Sequence, residues 1–194
     1  RIHAEVRVFT LDTGRLPEET YAAVEAVRAR YGIAVEMVLP DAGEVAAMVR
    51  EHGPDLFYRD PSLRAMCCEV RKVRPFERKL ETLEAWAAGL RREQSLSRAG
   101  IAKAEPVGGA LRISPLADWT AAQVDEYIRE HGVPVHALYA RGYTSIGCGP
   151  CTRAAREGEH ERAGRWWWER GSEKECGIHL TSEGRVERLK APGA

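Results

Sequence analysis

The stretch VRVFTLDTGRLP at positions 6–17 contains the pattern that indicates the fold. The alternation of side chains over residues 6–11 predicts a strand, and Asp12-Thr13-Gly14 predicts a turn where that strand ends. Pro17 is typical of the first turn of a helix, and Gly32 can end that helix. The segment therefore predicts a strand, a turn and a helix.

The same alternation continues along the chain. Strands that alternate with helices predict an α/β fold with a mostly parallel sheet flanked by helices. Further strands are expected at 33–39, 83–90 and 111–113, and helices are expected after the capping residues Asp41 and Thr120. Residues 95–109 are interpreted as a surface loop. Ligands bind such a sheet at the carboxyl ends of its strands, which is where Asp12-Thr13-Gly14 lies.

Composition narrows the class of protein. The chain has 194 residues, of which 44% are hydrophobic and 30% are charged, as in soluble globular proteins. No apolar run approaches the roughly 20 residues that span a membrane, and the first residues do not resemble a secretion signal. A formal net charge of zero argues against a nucleic-acid binder. The odd number of cysteines, five, argues against a disulfide framework and favours a reducing, cytoplasmic compartment.

Four of the five cysteines form two pairs. Cys67 and Cys68 are adjacent, and Cys148 and Cys151 form a CxxC pair. Four thiolates can hold a zinc ion or an iron–sulfur cluster. Adjacent cysteines point in different directions and chelate one small ion poorly, so the pattern favours a [4Fe-4S] cluster over zinc. The plainer interpretation is that Cys67 and Cys68 are core residues.

The fifth cysteine, Cys176, lies near the C-terminus in the segment ECGIH at 175–179. A lone cysteine beside His179, in a tail expected to be mobile, is interpreted as a nucleophile, with an incidental surface cysteine as the alternative. All five cysteines lie in segments with an excess of basic residues, 59–92 and 141–194. Cationic surroundings favour thiolates and attract anionic ligands.

Together these motifs resemble a known family. The segments CCEVRK at 67–72, GLRREQS at 89–95, PLADW at 115–119, RGYTSIGCGPCTR at 141–153 and ECGIH at 175–179 are similar to those of assimilatory adenylyl-sulfate reductases, which belong with the phosphoadenylyl-sulfate reductases. The resemblance covers nearly the whole chain. It implies an adenine-nucleotide alpha-hydrolase-like fold, with a reductase domain at 1–170 and a tail at 171–194. The family's phosphate-binding loop would precede the first strand, and the printed sequence does not include it.

The resemblance also implies roles for individual residues. Cys67, Cys68, Cys148 and Cys151 would hold a [4Fe-4S] cluster, and Lys72 would lie between cluster and substrate. The substrate would further contact Arg98, Arg162 and Arg165, with His179 accompanying the nucleophile. Leu11, Thr13 and Gly89 would lie near the adenosine.

The implied activity is the reduction of adenylyl sulfate (APS) to sulfite and AMP. Cys176 would attack the sulfur, and thioredoxin would release sulfite from the resulting S-sulfonate. Two alternatives stay open, a phosphoadenylyl-sulfate reductase with the same cluster and a non-catalytic cysteine-ligated metal module. Neither nucleic acid nor membrane is expected as a partner, and self-association is left open.

Overall fold

The computed structural model describes residues 6–94, 98–107 and 109–169, which form a mixed α/β fold. These residues divide into two compact units: the first contains 6–76 and 135–169, and the second contains the described part of 77–134. The expected C-terminal tail at 171–194 lies outside the described residues. Among the helices of the described ranges, none is long and apolar enough to cross a membrane.

The first unit confirms the predicted strand, turn and helix. Strand β1 (Val8–Leu11) pairs in parallel with β2 (Val35–Val38), and helix α1 (Glu18–Tyr31) connects them. Pro17 is the N-cap of α1, and Gly32 ends it with φ of 64°, a left-handed conformation that glycine adopts without steric cost. The turn at 12–14 therefore lies at the carboxyl end of a parallel strand, as the sequence predicts.

Two consecutive helical segments follow in the first unit. Helix α2 (Ala42–His52) begins as predicted, because the Asp41 carboxylate accepts a hydrogen bond from the Glu44 backbone N–H. Helix α3 (Pro61–Cys68) continues through a π-helical turn (Glu69–Val73) into α4 (Arg74–Leu80). The sequence analysis assigned no element to α3 or α4, although Asp60 caps α3 by accepting from Ser62 N–H. A single π-helical turn inside a helix is frequent at functional sites.

The second unit corrects one expectation. Strand β3 (Ala85–Ala87) is parallel to β5 (Ala110–Ile113), but β4 (Ala104–Val107) pairs with β5 in the antiparallel direction. The described strands form two sheets in which two of the three pairings are parallel, as expected, but part of the expected loop at 95–109 is a strand. Pro106 obscured that strand, since proline is tolerated only at sheet edges, and β4 is an edge strand.

Helix α5 (Ala121–His131) has both halves of the capping box predicted for Thr120 and Gln123, and Gly132 follows it with φ of 58°. The α/β class is therefore confirmed, with parallel strand pairs and flanking helices.

Candidate functional site

The four paired cysteines converge in the first unit. Cys67 and Cys68 end α3, while Cys148 and Cys151 flank the short 3-10 turn Gly149–Cys151. Cys67 and Cys151 are each 8% exposed and share one hydrophobic core, against which Cys148 packs. All four are free thiols. The structure thus brings together two pairs that are 80 positions apart in the sequence, counted from Cys68 to Cys148.

Burial makes the thiols of Cys67 and Cys151 difficult to ionise on their own, because it raises their pKa values. Burial raises the pKa of Cys67, and the positive charges of Arg71 and Arg15 partly oppose that rise. Burial, together with the neighbouring thiols of Cys148, Cys68 and Cys67, raises the pKa of Cys151 to about 12. A coordinated metal ion has the opposite effect on a thiol, because the thiol that binds it is deprotonated outright.

Three hydrogen bonds fix the loop that contains the CxxC pair. The backbone N–H of Gly149 donates to the carbonyl oxygen of Arg15 over 2.8 Å. The Tyr58 hydroxyl donates to the carbonyl oxygen of Pro150 over 2.9 Å, and the Thr152 hydroxyl donates to that of Cys148 over 2.9 Å. The loop is therefore held by the end of β1 and by the segment before α3.

The turn after β1 takes part in the same site. Thr13 is 4% exposed, and its hydroxyl oxygen lies 3.1 Å from the sulfur of Cys148. The Arg71 guanidinium donates to the Thr13 carbonyl oxygen over 2.8 Å. The Asp12 carboxylate accepts from the backbone N–H of Gly14 and from the Tyr21 hydroxyl, which holds the turn in shape. Leu11, the last residue of β1, immediately precedes this turn.

Arg165 and Trp166 form a buried layer next to Cys151. The backbone N–H of Trp166 donates to the Cys151 carbonyl oxygen over 3.1 Å, and the Arg165 guanidinium lies 4.6 Å from the Trp166 ring centroid. Arg165 also donates to the carbonyl oxygen of Ile146 over 3.2 Å. A Cβ atom on Gly147 would overlap the Arg165 guanidinium, so only glycine leaves room for it.

A second arginine approaches the same tryptophan. The Arg64 guanidinium also lies 4.6 Å from the Trp166 ring centroid and forms an ion pair with Glu169. Burial lowers the pKa of Arg64, but Glu169 and then Cys68 outweigh burial, so the pKa is raised. Arg64 lies one helical turn before Cys68 on α3, so this buried cation faces the tandem cysteine pair.

Several donors around the cysteines have no acceptor. Within the described ranges, four buried nitrogens in this unit make no hydrogen bond: Arg15 Nη1, Arg71 Nε, Arg165 Nε and Trp166 Nε1. Buried polar groups are nearly always paired, so this concentration of orphaned donors indicates that an acceptor belongs among them. No group of three or more His, Cys, Asp or Glu side chains in the described part of the chain is arranged to hold a metal ion.

The remaining predicted residues divide among three locations. Lys72 lies in the π-helical turn directly after the cysteine pair, and Arg162 lies in the turn that leads to Arg165. Arg98 and Gly89 belong to the second unit, where the Arg98 guanidinium donates to the Gln94 side chain and Gly89 lies beside Leu116. Cys176 and His179 lie outside the described residues.

Sequence reasoning missed several residues of this site, among them Arg15, Tyr58, Arg64, Arg71 and Glu169. A signal existed for Arg71, because it is a basic residue three positions after Cys68. A sequence signal also existed for Arg15, because Arg15 directly follows the turn at the end of the strand. Tyr58 and Glu169 had none, because their partners Pro150 and Arg64 are remote in sequence.

Comparison with known proteins gives a consistent result. Residues 1–154 match the family described as the phosphoadenosine phosphosulfate reductase domain. The chain is 49% identical over 179 residues to an adenosine 5'-phosphosulfate reductase of Burkholderia cepacia, covering 91% of this chain and 72% of that protein. It is 48% identical over 176 residues to the enzyme of the same name from Allochromatium vinosum, covering 90% and 69%.

More distant matches have related names. The chain is 46% identical over 184 residues to 5'-adenylylsulfate reductase 3, chloroplastic, of Arabidopsis thaliana, covering 89% of this chain and 40% of that protein. A crystal structure of phosphoadenylyl-sulfate (PAPS) reductase from Candida auris, in a phosphate complex, superposes with a TM-score of 0.58 at 28% identity. That match covers 75% of this chain and 70% of the other.

Proposed function

This chain belongs to the family described as the phosphoadenosine phosphosulfate reductase domain, and from that premise we propose that it is an adenylyl-sulfate reductase of sulfate assimilation. The observation that carries the proposal is the similarity to proteins named adenosine 5'-phosphosulfate reductase, at 43% to 49% identity over about nine tenths of the chain. The similarity to a PAPS reductase is lower, at 28% identity.

The four converging cysteines are proposed to hold a [4Fe-4S] cluster. Such a cluster takes one thiolate per iron and offers sulfur acceptors. The proposal is supported by the four free thiols that converge and by the orphaned donors of Arg15, Arg71, Arg165 and Trp166 in the same unit. When bound, the cluster supplies a fixed charge that orders and tunes the site.

The substrate is an anion at both its phosphate and its sulfate, so binding requires several cations. On the family resemblance, Lys72, Arg98, Arg162 and Arg165 are proposed to supply them. Burial of Arg165 against Trp166 supports a preorganised guanidinium. Leu11 and Gly89 are proposed to contact the adenosine. Thr13, whose hydroxyl oxygen lies 3.1 Å from the Cys148 sulfur, is proposed to contact the adenosine as well.

The proposed chemistry proceeds by two thiol attacks. The Cys176 thiolate attacks the sulfur of APS, the sulfur–oxygen bond to the phosphate breaks, and AMP leaves with the bond's electron pair. A thiolate of thioredoxin then attacks the Cys176 sulfur and sulfite leaves, after which thioredoxin's second thiol frees Cys176 and forms the thioredoxin disulfide. His179 is proposed to lie beside the Cys176 nucleophile. The cytoplasm, which keeps thiols reduced, is the proposed compartment.

The test uses the full chain, prepared without oxygen, and APS in the absence of thioredoxin. We expect the mass of one sulfonate group to appear on Cys176, and Cys176→Ser to lose both this adduct and sulfite release. A Cys176→Ser enzyme that releases sulfite at the wild-type rate would refute the nucleophile assignment.

A second candidate function, PAPS reduction, is favoured by the likeness to the Candida auris structure. Competition between APS and PAPS at equal concentration distinguishes the two, and we expect APS to be consumed faster. A non-catalytic metal module would form no adduct with either nucleotide.

A further inference from the structure

The side chain of Arg15 turns inward from the end of β1. Its Nη2 atom donates to the Asp55 carboxylate over 3.2 Å, and its guanidinium lies 4.9 Å from the Phe57 ring centroid. Phe57 is fully buried in the same core cluster as Cys67 and Cys151. The guanidinium is therefore held on one edge by the Asp55 carboxylate and on one face by the Phe57 ring.

The other edge of this guanidinium has no acceptor. Arg15 Nη1 is buried and makes no hydrogen bond to any described residue. A buried charged donor without an acceptor is costly, so a guanidinium held in this way indicates that an acceptor is missing. The orphaned nitrogen belongs to a guanidinium that packs on Phe57, a member of the core cluster that contains Cys67 and Cys151, so it lies at the cysteine site.

Arg15 is connected to the second cysteine pair as well. Its backbone carbonyl oxygen accepts the Gly149 N–H, the first N–H of the CxxC turn. One residue therefore contacts the loop of Cys148 and Cys151 through its backbone and, through its side chain, packs on Phe57 of the core cluster that contains Cys67. This arrangement suits a residue that fixes two ligand pairs around one shared group.

We propose that Arg15 is a positioning residue whose Nη1 donates an N–H···S hydrogen bond to the sulfur cluster held by the four cysteines. This inference rests on the proposed cluster. Arginine is required because its planar fork can bind Asp55 with one nitrogen and a sulfur with the other, which a lysine ammonium on a flexible stem does not reproduce. The positive charge also offsets part of the negative charge that four thiolates bring to the cluster.

The cluster's reduction potential should therefore depend on this residue. Net charge and hydrogen bonds to sulfur both set the potential of an iron–sulfur cluster. Removing a nearby cation and its donor makes an anionic cluster harder to reduce. Partners beyond the ligands also help to retain metal, and their loss commonly weakens metal affinity by about 10- to 100-fold.

The experiment compares wild type, Arg15→Gln, Arg15→Lys and Arg28→Gln as anaerobically reconstituted holoproteins. Arg28 is a matched control, because it is a half-exposed cation of α1 that pairs with Glu25, and its loss changes the net charge equally. Two quantities are measured: the midpoint potential, from the EPR signal of the reduced cluster, and the rate of iron release to a chelator.

We expect Arg15→Gln to shift the midpoint potential to more negative values and to release iron about 10-fold faster. Arg15→Lys should fall between it and wild type, and Arg28→Gln should match wild type. If Arg15→Gln does not fold, judged by its thermal midpoint, Arg15→Lys decides the question.

Wild-type potential and iron release in the decisive variant would overturn the inference and leave the cluster proposal intact. If the wild-type protein itself gives no cluster EPR signal and binds no iron and sulfide, the cluster proposal fails and takes this inference with it. The two failures are thereby distinguished.

Discussion

The Thr13 hydroxyl oxygen lies 3.1 Å from the Cys148 sulfur, so the turn after β1 reaches the CxxC pair directly. Asp12 holds this turn from one side through Gly14 and Tyr21, and Arg71 holds it from the other through the Thr13 carbonyl oxygen. The carboxyl end of a parallel strand, where ligands of α/β proteins commonly bind, thus contributes a hydroxyl to the cysteine site.

The first prediction concerns this hydroxyl. Thr13→Val keeps the shape of the side chain but removes the O–H···S contact, so iron should be released about 10-fold faster to a chelator. Thr13→Ser retains the hydroxyl and is the control, expected to release iron at nearly the wild-type rate. Equal rates in Thr13→Val and wild type would contradict a role for this contact.

The second prediction concerns the metal. The protein purified without oxygen should be brown and contain about four irons and four sulfides per chain. Cys148→Ser should lose most of the iron, because one iron then lacks its thiolate. The measurements are iron and sulfide analysis and the visible absorption spectrum. Stoichiometric zinc without sulfide would instead support a zinc site.

The sequence predicted the local parts of this fold well. The β1 strand, the N-cap Asp41 and the capping box at Thr120 depend on residues within four positions of one another, so short-range patterns reveal them. The edge strand β4 was missed, since Pro106 resembles a loop signal unless the pairing of that strand is known.

For the candidate site, the sequence singled out the cysteines that converge but not the residues that surround them. Cys67, Cys68, Cys148 and Cys151 stand out by spacing. Tyr58, which holds the carbonyl oxygen of Pro150, is 92 positions away from it, and no local pattern connects the two. Such contacts exist only after the chain folds, so they become visible only in the structure.

The third prediction tests the close approach of Gly147 to Arg165. Gly147→Ala would place a methyl group where the Arg165 guanidinium lies, and that guanidinium is confined by Trp166 and the Ile146 carbonyl. We expect at least a tenfold lower kcat/KM for APS, because the arginine must leave its position. Gly100→Ala is the control, since its Cβ meets nothing within 4 Å. Unchanged kinetics in Gly147→Ala would show that Arg165 tolerates displacement.

The fourth prediction concerns the buried ion pair of Arg64 and Glu169, whose side chains are 6% and 10% exposed. Glu169→Gln leaves the Arg64 charge buried without its counter-ion, so the free energy of unfolding should fall by about 3 kcal/mol. The exposed pair of Arg28 and Glu25 provides the control, and Glu25→Gln should change it by less than about 1 kcal/mol. Urea unfolding measures the free energy of unfolding of both variants. Equal, small decreases in the two variants would mean that the buried ion pair contributes no more than the exposed one.

The fifth prediction concerns acid stability and His136. Its Nδ1 accepts the Leu138 N–H over 3.2 Å, so the neutral ring carries its proton on Nε2, which lies 2.9 Å from the Thr20 hydroxyl. Burial lowers the pKa of His136 from 6.5, and the charge of Glu19 only partly opposes this shift. A protonated Nδ1 could no longer accept the Leu138 N–H, so the cap of the 3-10 helix Ala137–Arg141 would be lost.

The sign of the effect follows from proton binding. Near and below pH 6.5 the unfolded chain binds a proton at His136 more readily than the folded chain does. The contribution of His136 to folding stability is therefore fully present above pH 6.5, and it is lost as the pH falls through the unfolded pKa towards the folded pKa. We expect the free energy of unfolding, measured with urea from pH 8 down to about pH 5, to decline more steeply in wild type than in His136→Gln. His131→Gln, at an exposed site on α5, is the control and should retain the wild-type slope. Parallel profiles for wild type and His136→Gln would assign the acid sensitivity to other groups.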